Sequence, residues 1–432
     1  MSIKRTAMRG LAAAAVGSLA LTACGSGDGG DDGGRVTLNF TWWGADERAN
    51  RYERAIELFE EQHPNIRVQT SFADFPNYWT QRSTDATGGN LPDVLQMDTS
   101  YIQEYANNGL LYDMSEFEGE QLDISTIDEN VLEAGVVNEQ RVGIPLSTNT
   151  WSLIINPDLL DELDVEAPDW DYTWDEYYDF VAEVTEAGED HDPRIYGATD
   201  HTTIWWLFMH HLLQQGIQPF DPNGEWNFTE DDLREFLESG DEVRPYTFPA
   251  ERNEQLEPLG AFDSGESVAE FTWDNFLANY GSQLDNENLE LMPPPSGPDG
   301  QKHMFFKPSM QMSMGANTDH PEEAAELINF LVNDVEAGQI IGTEVGVPAS
   351  QQRLEALEVE PGSYDEKVIE YEQRVREEGY ATETTPIHAQ GFGAVENEYV
   401  EIIGKEFGFG TIGVDEYVSR VFDSLETNIV TY

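Results

Sequence analysis

Strands and helices alternate repeatedly near the start of the chain, and this alternation restricts the possible fold more than any other feature of the sequence. Apolar residues occupy every second position from Val36 to Trp42, which is typical of a strand, and residues 52–59 then repeat an apolar pattern at helical spacing until Pro64. Alternation resumes at residues 66–72, and a second helical stretch leads to the apolar run 94–97. Such strand–helix–strand units predict a parallel sheet covered by helices, which is an α/β fold.

A long extended run follows at residues 144–156, with the sequence IPLSTNTWSLIIN. It is longer than one short strand needs, so we interpret it as a strand that crosses between two lobes. A second extended run covers residues 304–314, and helical patterns dominate the part of the chain after Pro321. Because 432 residues exceed one average domain, the length also favours two lobes.

The charge of the chain restricts its partners. Asp and Glu number 84 against 22 Lys and Arg, which gives a formal net charge of −62. Nucleic acids need a basic protein face, so this composition excludes a nucleic-acid partner. Repulsion between so many carboxylates destabilises a compact state at low ionic strength, but at ~1 M salt the Debye length falls to about 3 Å. Because ten Trp and 21 Phe supply a core, the composition indicates a folded protein from a halophile.

The first 35 residues have the organisation of a lipoprotein leader. Basic residues precede the apolar stretch 11–21, which is the charge order of a secretory signal and is shorter than the ~20 apolar residues of a membrane span. The stretch is followed by TAC, and the whole segment LTAC resembles the lipobox of prokaryotic lipoproteins, in which the cysteine receives a diacylglyceryl group and becomes the first mature residue. The resemblance implies a signal peptide at residues 1–23, a lipid on Cys24 and a Gly- and Asp-rich tether at residues 24–35. The export route, Sec or Tat, stays open.

Several longer stretches match one protein family in order along the chain. They begin with TWWGADERANRYERAIELFEEQHPNIRV and YWTQRSTDATGGNLPDVLQMD, and they continue with IPLSTNTWSLIINPDLL, AEFTWDNF and HPEEAAELINFLVNDVEAGQIIGTEVGVPAS. In these stretches the chain resembles the extracellular solute-binding proteins of family 1, the sugar-binding components of ABC importers, which are related to the maltose-binding protein. The likeness covers nearly the whole chain after the leader, and it points to a fold and a class without identifying the sugar.

The resemblance implies a periplasmic-binding-protein-like fold of type II, in which two α/β lobes close over a ligand in the cleft between them. The chain then visits each lobe twice, with crossing hinge segments near Ser147, near Ser309–Gln311 and near Val347–Ser350. The implied boundaries are residues 36–147 plus 313–346 for lobe 1 and residues 148–312 plus 347–432 for lobe 2.

For function, the resemblance implies capture of a carbohydrate, an oligosaccharide, and its delivery to an ABC importer permease at the outer face of the cytoplasmic membrane. It implies a monomer that has no catalytic activity, cofactor or metal ion. The ATPase must be another chain, because the sequence contains no phosphate-binding P-loop. GFGTIG at residues 408–413 matches the dinucleotide pattern GxGxxG, but no strand precedes it, so we interpret it as a loop.

A sugar offers an apolar C–H face and a rim of hydroxyl groups, so its site needs aromatic side chains and planar hydrogen-bonding groups. The sequence has such residues where the resemblance implies the site. The predicted ligand-binding residues are Trp43, Asp98, Asn149, Trp206, Trp273, Asp274, Asn275, Phe306, Ser309 and Glu344. Among the tryptophans, Trp273 is the leading candidate for stacking on a sugar ring.

Several of these residues have a structural alternative. Strand alternation favours Trp42 in the core and Trp43 toward the ligand. Asp98 also fits the N-cap of the following helix, and the two roles are compatible. Trp206 lies in an apolar helix, where one of the two adjacent tryptophans belongs in the core. The remaining alternatives are strand hydrogen bonding for Asn149, packing beside a crossing segment for Phe306 and a solvated surface position for Glu344.

Two other classes of protein stay open. A secreted glycoside hydrolase of the retaining kind needs two carboxyl groups ~5 Å apart, one of them with a raised pKa, and a sequence does not show distances. An adhesin or scaffold would show no saturable binding of a small ligand. The implied lipid anchor favours a receptor that must stay near a permease, and an assay for reaction products separates a receptor from a hydrolase.

We expect the fold to lose stability when the protein is dialysed from molar salt into low salt, because the carboxylates then repel one another without screening. Unfolding by heat or urea, measured in both solutions, tests this expectation. Equal stability in the two solutions would contradict the salt adaptation.

We expect the variant Cys24→Ala to lose membrane retention, because it lacks the thiol that would carry the acyl chains, each CH₂ of which contributes ~0.8 kcal/mol in the membrane. Ligand binding should stay intact, because the tether is not part of the predicted lobes. Fractionation of the expressing cells into membrane and soluble material measures the effect, and a variant that stays with the membrane would refute the anchor.

Overall fold

The computed structural model describes residues 35–221, 223–383, 385–386 and 388–431, so the predicted signal peptide, Cys24 and nearly all of the tether lie outside the described residues. Within these ranges the strands are β1 (Val36–Trp43), β2 (Ile66–Ala73), β3 (Val94–Met97), β4 (Val136–Val137), β5 (Gln140–Arg141), β6 (Ile144–Pro145), β7 (Ser147–Asn149), β8 (Trp151–Ile155), β9 (Ala269–Trp273), β10 (Glu290–Met292), β11 (Lys307–Pro308), β12 (Gln311–Met314) and β13 (Val347–Pro348).

The α-helices of the same ranges are α1 (Asp46–Gln62), α2 (Phe75–Gly88), α3 (Thr99–Asn107), α4 (Glu129–Glu133), α5 (Pro157–Leu163), α6 (Trp174–Ala187), α7 (Trp205–Gln214), α8 (Glu230–Ser239), α9 (Ala250–Leu256), α10 (Leu277–Leu284), α11 (Pro321–Asn333), α12 (Val335–Ile341), α13 (Gln351–Ala356), α14 (Tyr364–Glu377), α15 (Phe392–Asn397), α16 (Lys405–Gly408) and α17 (Val414–Asn428). A π-helix, Glu398–Gly404, joins α15 to α16. Short 3-10 turns cover Met114–Phe117, Gly188–Asp190, His201–Thr203, Arg244–Tyr246 and Asp274–Phe276.

The predicted parallel sheet forms the base of the first core. β1 pairs in parallel with both β2 and β3, and the five-stranded sheet has the order β2-β1-β3-β12-β6. Phe40 and Trp42 of β1 are buried, and Tyr52 of α1 packs against both rings. The placement of Trp42 in the core agrees with strand periodicity. The α/β fold class predicted from the sequence is confirmed.

Buried apolar side chains form separate cores that take their residues from different parts of the chain. The first core uses residues 38–146 and 310–345. The second core and a smaller cluster use residues 151–305 and 347–429. Met312 packs in the first core, although the boundary implied by the resemblance assigns it to lobe 2, because β12 pairs with β3 in the first sheet.

The extended run from residue 144 to residue 156 is divided into three short strands instead of the single strand predicted. β6 pairs with β12 in the first sheet, β7 lies in a small middle sheet, and β8 pairs with β9 and β10 in the second core. Each segment of the run therefore has different partners as the chain passes from the first core to the second. Each segment has its own pairing register, because its partner strand belongs to a different sheet.

The middle sheet joins the three segments that the resemblance implied as crossings. Its order is β11-β7-β13, and both pairings are antiparallel. The hydroxyl groups of Ser147 and Ser309 lie 2.6 Å apart, and each also lies within 2.6 Å of the carbonyl oxygen of Val345. Gly346 follows with a φ of 111°, and a Cβ atom there would lie 2.1 Å from the Asn149 side-chain oxygen, so this close approach requires glycine.

No helix within the described part of the chain combines the length and the apolar composition that a membrane span needs.

Candidate ligand-binding cleft

A cavity of about 830 Å³ lies between residues of the first core and residues of the second core. The first-core side contributes residues from α2 and α3, the second-core side contributes residues from α7, β9 and α15, and one side chain comes from the crossing strand β11. Its principal lining residues are Phe75, Trp79, Asp98, Tyr101, Glu104, Trp206, Trp273, Phe276, Lys307 and Glu396. The volume is in the range of small-ligand sites, and the wall combines aromatic and carboxylate side chains.

Two tryptophans form one wall of the cavity. The rings of Trp206 and Trp273 have centroids 5.1 Å apart and planes at 77°, which makes a right-angled aromatic corner. Trp273 ends β9, where it lies opposite Trp151 of β8, and these two rings stack at 4.6 Å. Trp206 is in the first turn of α7 and packs against Phe392 of α15. Neighbouring rings thus fix both members of the corner.

The ammonium group of Lys307 lies in this aromatic corner. Its Nζ atom is 5.2 Å from the ring centre of Trp206 and 5.1 Å from that of Trp273, which is cation–π geometry. The same atom is 3.1 Å from Oδ2 of Asp98. This ion pair joins the second-core wall of the cavity to the first-core wall, and both side chains are nearly buried.

Asp98 has both of the roles that the sequence suggested. It follows β3, its Oδ1 accepts a hydrogen bond from the Ser100 backbone N–H at 2.8 Å as the N-cap of α3, and its other oxygen binds Lys307 in the cavity. Burial alone would raise the pKa of Asp98, but the Lys307 charge and the hydrogen bonds from Ser100 hold it below the ordinary value. Asp98 is therefore an ionised carboxylate in the cavity wall.

Glu396 is the second carboxylate of the aromatic corner. The Trp206 Nε1–H donates a hydrogen bond of 2.8 Å to Oε1 of Glu396. Burial raises the pKa of Glu396 to about 7; the Lys307 charge opposes this shift and the Asp98 charge adds to it. Asp98 and Glu396 are thus two carboxyl groups of one cavity whose pKa values are shifted in opposite directions.

Of the ten residues predicted to bind the ligand, three line the cavity, namely Asp98, Trp206 and Trp273. The structure adds Lys307, Glu396 and the first-core aromatics, which the sequence interpretation did not select. Lys307 had one available signal, because it is one of only five lysines in the chain and lies beside a crossing segment. Glu396 had none, because one carboxylate among 84 acidic residues is not distinctive.

The other seven predicted residues lie outside the cavity lining. Trp43 is buried against Tyr78 and Trp79 in the first core, because the last residues of β1 are covered on both faces. Asn149 and Ser309 belong to the middle sheet and its hydroxyl cluster. The remaining positions are also structural. Phe306 lies under the Arg376 guanidinium, and Glu344 pairs with Arg48. Asn275 lies in a 3-10 turn, and Asp274 is buried behind Trp273.

Asp274 faces a second buried carboxyl group, that of Glu372 on α14. The Thr150 backbone N–H donates to Asp274 at 3.2 Å, and the Thr148 hydroxyl donates to Glu372 at 2.8 Å. Burial raises the pKa of both groups; the Glu372 charge adds to the shift of Asp274, and Arg376 partly opposes that of Glu372. Their other oxygens lack hydrogen-bond partners among the described residues, so the pair is arranged to share one proton.

Within the described ranges, no group of three or more His, Cys, Asp or Glu side chains is placed to hold a metal ion. The described lining of the cavity offers aromatic faces, carboxylates and one ammonium group. Such a wall can stack on an apolar ring face and bond hydroxyl or amino groups at the rim of that ring.

Comparison with known proteins identifies relatives of the same architecture. A family model described as bacterial extracellular solute-binding protein matches residues 45–337. The chain is similar to an extracellular solute-binding protein of family 1 from Alicyclobacillus acidocaldarius, with 25% identity, 91% of this chain and 98% of that chain covered, and a TM-score of 0.68. It is also similar to an oligogalacturonide-binding protein from Yersinia enterocolitica in complex with digalacturonic acid, with 24% identity, 91% and 100% covered, and a TM-score of 0.78.

A third similar structure is an ABC substrate-binding protein from Listeria monocytogenes in complex with cycloalternan. It has 19% identity to this chain, the match covers 91% of this chain and 98% of that chain, and the TM-score is 0.76. These likenesses confirm the predicted fold, an α/β protein that resembles the two-lobe periplasmic binding proteins.

The buried carboxyl pair predicts a pH-dependent stability. Because both pKa values are raised in the folded state, the folded protein holds protons more tightly than the unfolded chain, and stability falls as the pH rises above the ordinary carboxyl range. We expect Glu372→Gln to flatten this fall by more than about 1.4 kcal/mol, the equivalent of one pKa unit. The amide can still accept from Thr148, and it donates to Asp274, whose pKa then drops.

Urea unfolding at pH 5 and pH 8, at one fixed salt concentration, measures this effect. Glu370→Gln is the matched control, because it removes an exposed carboxylate from the same helix. The many other carboxylates contribute equally to the pH dependence of stability in the wild type and in both variants. An equal fall in stability for the wild type and Glu372→Gln would contradict the shared proton.

Proposed function

Because this chain belongs to the family of bacterial extracellular solute-binding proteins, we propose that it captures an oligosaccharide outside the cytoplasm and delivers it to an ABC importer permease. The observation that carries the proposal is the corner of Trp206 and Trp273 in a cavity that also exposes carboxylates. Aromatic faces suit the apolar side of a sugar ring, and carboxylates suit its hydroxyl rim. Similar proteins named for an oligogalacturonide and for cycloalternan also support a carbohydrate ligand.

In this proposal the ligand is bound by both walls of the cavity at once. A sugar ring packs against the aromatic corner beside the Lys307 ammonium group, while Asp98 and Tyr101 contact it from the first-core wall. Contacts to both walls stabilise the closed arrangement relative to an open one, which is the condition for ligand-driven closure. The middle sheet of β7, β11 and β13 is the hinge, because all three crossings meet there.

The two lobes that move have the boundaries implied by the resemblance, with the second segment of lobe 1 extended to include Met310 and Met312 of the first core. A lipid on Cys24 would keep the protein at the outer face of the membrane, and the Gly- and Asp-rich tether would let the loaded form reach the permease. The protein acts as a monomer without cofactor in this proposal, and a separate ATPase drives transport.

A glycoside hydrolase is the second candidate, and one observation favours it. Asp98 is held ionised while the pKa of Glu396 is raised to about 7 in the same cavity, and a general acid paired with an ionised carboxylate has this pattern. The ion pair of Asp98 with Lys307 and the bond from Trp206 to Glu396 occupy one oxygen of each carboxylate and suit a binding wall equally. Chromatography of oligosaccharides after incubation with the protein decides between the two: released products would establish a hydrolase.

We expect Trp273→Ala to weaken sugar binding at least tenfold, by more than about 1.4 kcal/mol, because it removes one face of the aromatic corner. Calorimetry against mono- and oligosaccharides in molar salt measures the affinity. Trp170→Ala is the matched control, since Trp170 packs against Arg374 and Tyr371 and does not line the cavity. An unchanged affinity in Trp273→Ala would remove this residue from the site.

A further inference from the structure

The cavity wall carries more negative charge than its own lysine can neutralise. Among the described residues, four carboxylates line it, those of Asp98, Glu104, Glu396 and Glu401, and Lys307 is the one basic side chain of that lining. Lys307 is paired with Asp98, and Glu401 pairs at 3.0 Å with Lys405, which is outside the lining. Glu104 and Glu396 form no ion pair with any described basic residue.

Three of these carboxylates converge on the phenol of Tyr101. Asp98, Tyr101 and Glu104 follow one another at intervals of three residues, so they lie along one face of α3. Glu396 approaches from α15, whose Gly393 lies so close to Tyr101 that a Cβ atom there would be 3.2 Å from the phenol oxygen. Burial, followed by the charges of Asp98, Glu396 and Glu104, raises the pKa of Tyr101 to about 12.

The opposite wall of the cavity already accommodates an ammonium group. Lys307 Nζ lies within 5.2 Å of both ring centres of the tryptophan corner. The π faces therefore attract a cation, as the carboxylates do. An anionic sugar would meet repulsion from Glu104 and Glu396 and would have to compete with Asp98 for Lys307. A sugar with a free ammonium group would meet attraction from the two carboxylates that lack an ionic partner.

The general acidity of the chain does not account for this arrangement. Carboxylates on the surface are solvated, whereas Glu396 is bonded to Trp206 inside the cavity and Glu104 is half-buried. Burial raises the pKa of Glu104 as well as that of Glu396, and the Lys307 charge offsets only part of the shift of Glu396. A bound cation would supply further positive charge between these two carboxyl groups.

We propose that the cavity selects an amino sugar, a saccharide that carries a free ammonium group, and that this group binds between Glu104 and Glu396 beside Tyr101. This inference rests on the proposed function, and it names the substrate class of the same site. The same carboxylates repel uronic acids, and neutral sugars bind by stacking and hydrogen bonds without this ionic contact.

Calorimetry with matched ligands tests the proposal. The probes are glucosamine, glucose and glucuronate, each as the monomer and as the β-1,4-linked trimer, at pH 6 in molar salt. At this pH an amine with a pKa near that of an α-amino group, about 7.7–8.0, is charged. We expect the amino form to bind at least tenfold more tightly than the glucose form, and the glucuronate form to bind most weakly.

Carboxylate variants locate the selectivity. We expect Glu104→Gln and Glu396→Gln each to reduce the ratio of amino-sugar affinity to glucose affinity at least fivefold, because the amides keep hydrogen-bonding capacity and lose the charge. Glu370→Gln removes one exposed negative charge outside the cavity and should leave the preference unchanged. A preference that survives both cavity variants would overturn the assignment to Glu104 and Glu396.

Proton release provides a second readout that packing changes would not produce. Glu396, with a pKa of about 7, is mostly protonated at pH 6, and an ammonium beside it would expel the proton. The groups facing Glu396 are Lys307, Asp98 and Tyr101, and the pKa of Tyr101 is raised to about 12. His388, which packs on Trp206, stays neutral because burial lowers its pKa to about 3. Titration in two buffers of different ionisation enthalpy measures the protons released.

We expect release with glucosamine and no release with glucose, and loss of the release in Glu396→Gln. Tight amino-sugar binding without proton release would overturn the placement beside Glu396. Equal or tighter binding of the glucose or glucuronate form would overturn the selectivity while leaving the proposed function standing. Absence of binding by all of these sugars would overturn this inference, whereas the proposed function fails only if the wider panel of mono- and oligosaccharides also shows no binding.

Discussion

The structure depends on the hydrogen-bonded cluster in which the three crossing segments meet. The hydroxyl groups of Ser147 and Ser309 both lie within hydrogen-bond distance of the Val345 carbonyl oxygen, and all of these groups are buried. Each serine comes from a different crossing segment, and Val345 precedes the third. Buried polar groups without such partners would destabilise the fold. The cluster therefore fixes the positions of the three segments relative to one another. Because these segments connect the two main cores, their alignment sets the position of one core relative to the other.

The cleft is connected to that cluster through Lys307. This residue pairs with Asn149 in the middle sheet through its backbone, while its side chain reaches Asp98 and the tryptophan corner. A change in the angle of the crossing strands would therefore move the ammonium group relative to the first-core carboxylate. The carboxyl pair of Asp274 and Glu372 holds the next residues of the first crossing, because it accepts hydrogen bonds from Thr148 and Thr150. The crossing strands are thus linked by polar contacts both to the cavity wall, through Lys307, and to the carboxyl pair behind it.

The sequence predicted the parts of this architecture that local patterns specify. Periodicities of two and 3.6 identified the strands and helices of the first sheet, and the family resemblance located the crossings. Trp273 and Asp274 show where such reasoning ends: they are neighbours at the end of β9, yet one faces the cavity and the other faces Glu372. Which of two adjacent residues points into a cleft is decided by the packing of β8 and α14, and both elements are distant in sequence. The role of Glu396 depends in the same way on its approach to Trp206.

The large negative charge acts differently on the surface and in the cleft. At ~1 M salt the Debye length is about 3 Å, so carboxylates separated by more than this distance on the surface are largely screened from one another. Asp98 and Lys307 are 3.1 Å apart and nearly buried, so salt ions do not enter between them, and the same holds for the bond from Trp206 to Glu396. In such salt the protein would lose long-range attraction for a charged ligand and keep the contacts made inside the cavity. Selectivity in this cleft must then come from carboxylates that touch the ligand, and Glu396 is placed to do so because it lies in the wall beside the aromatic corner.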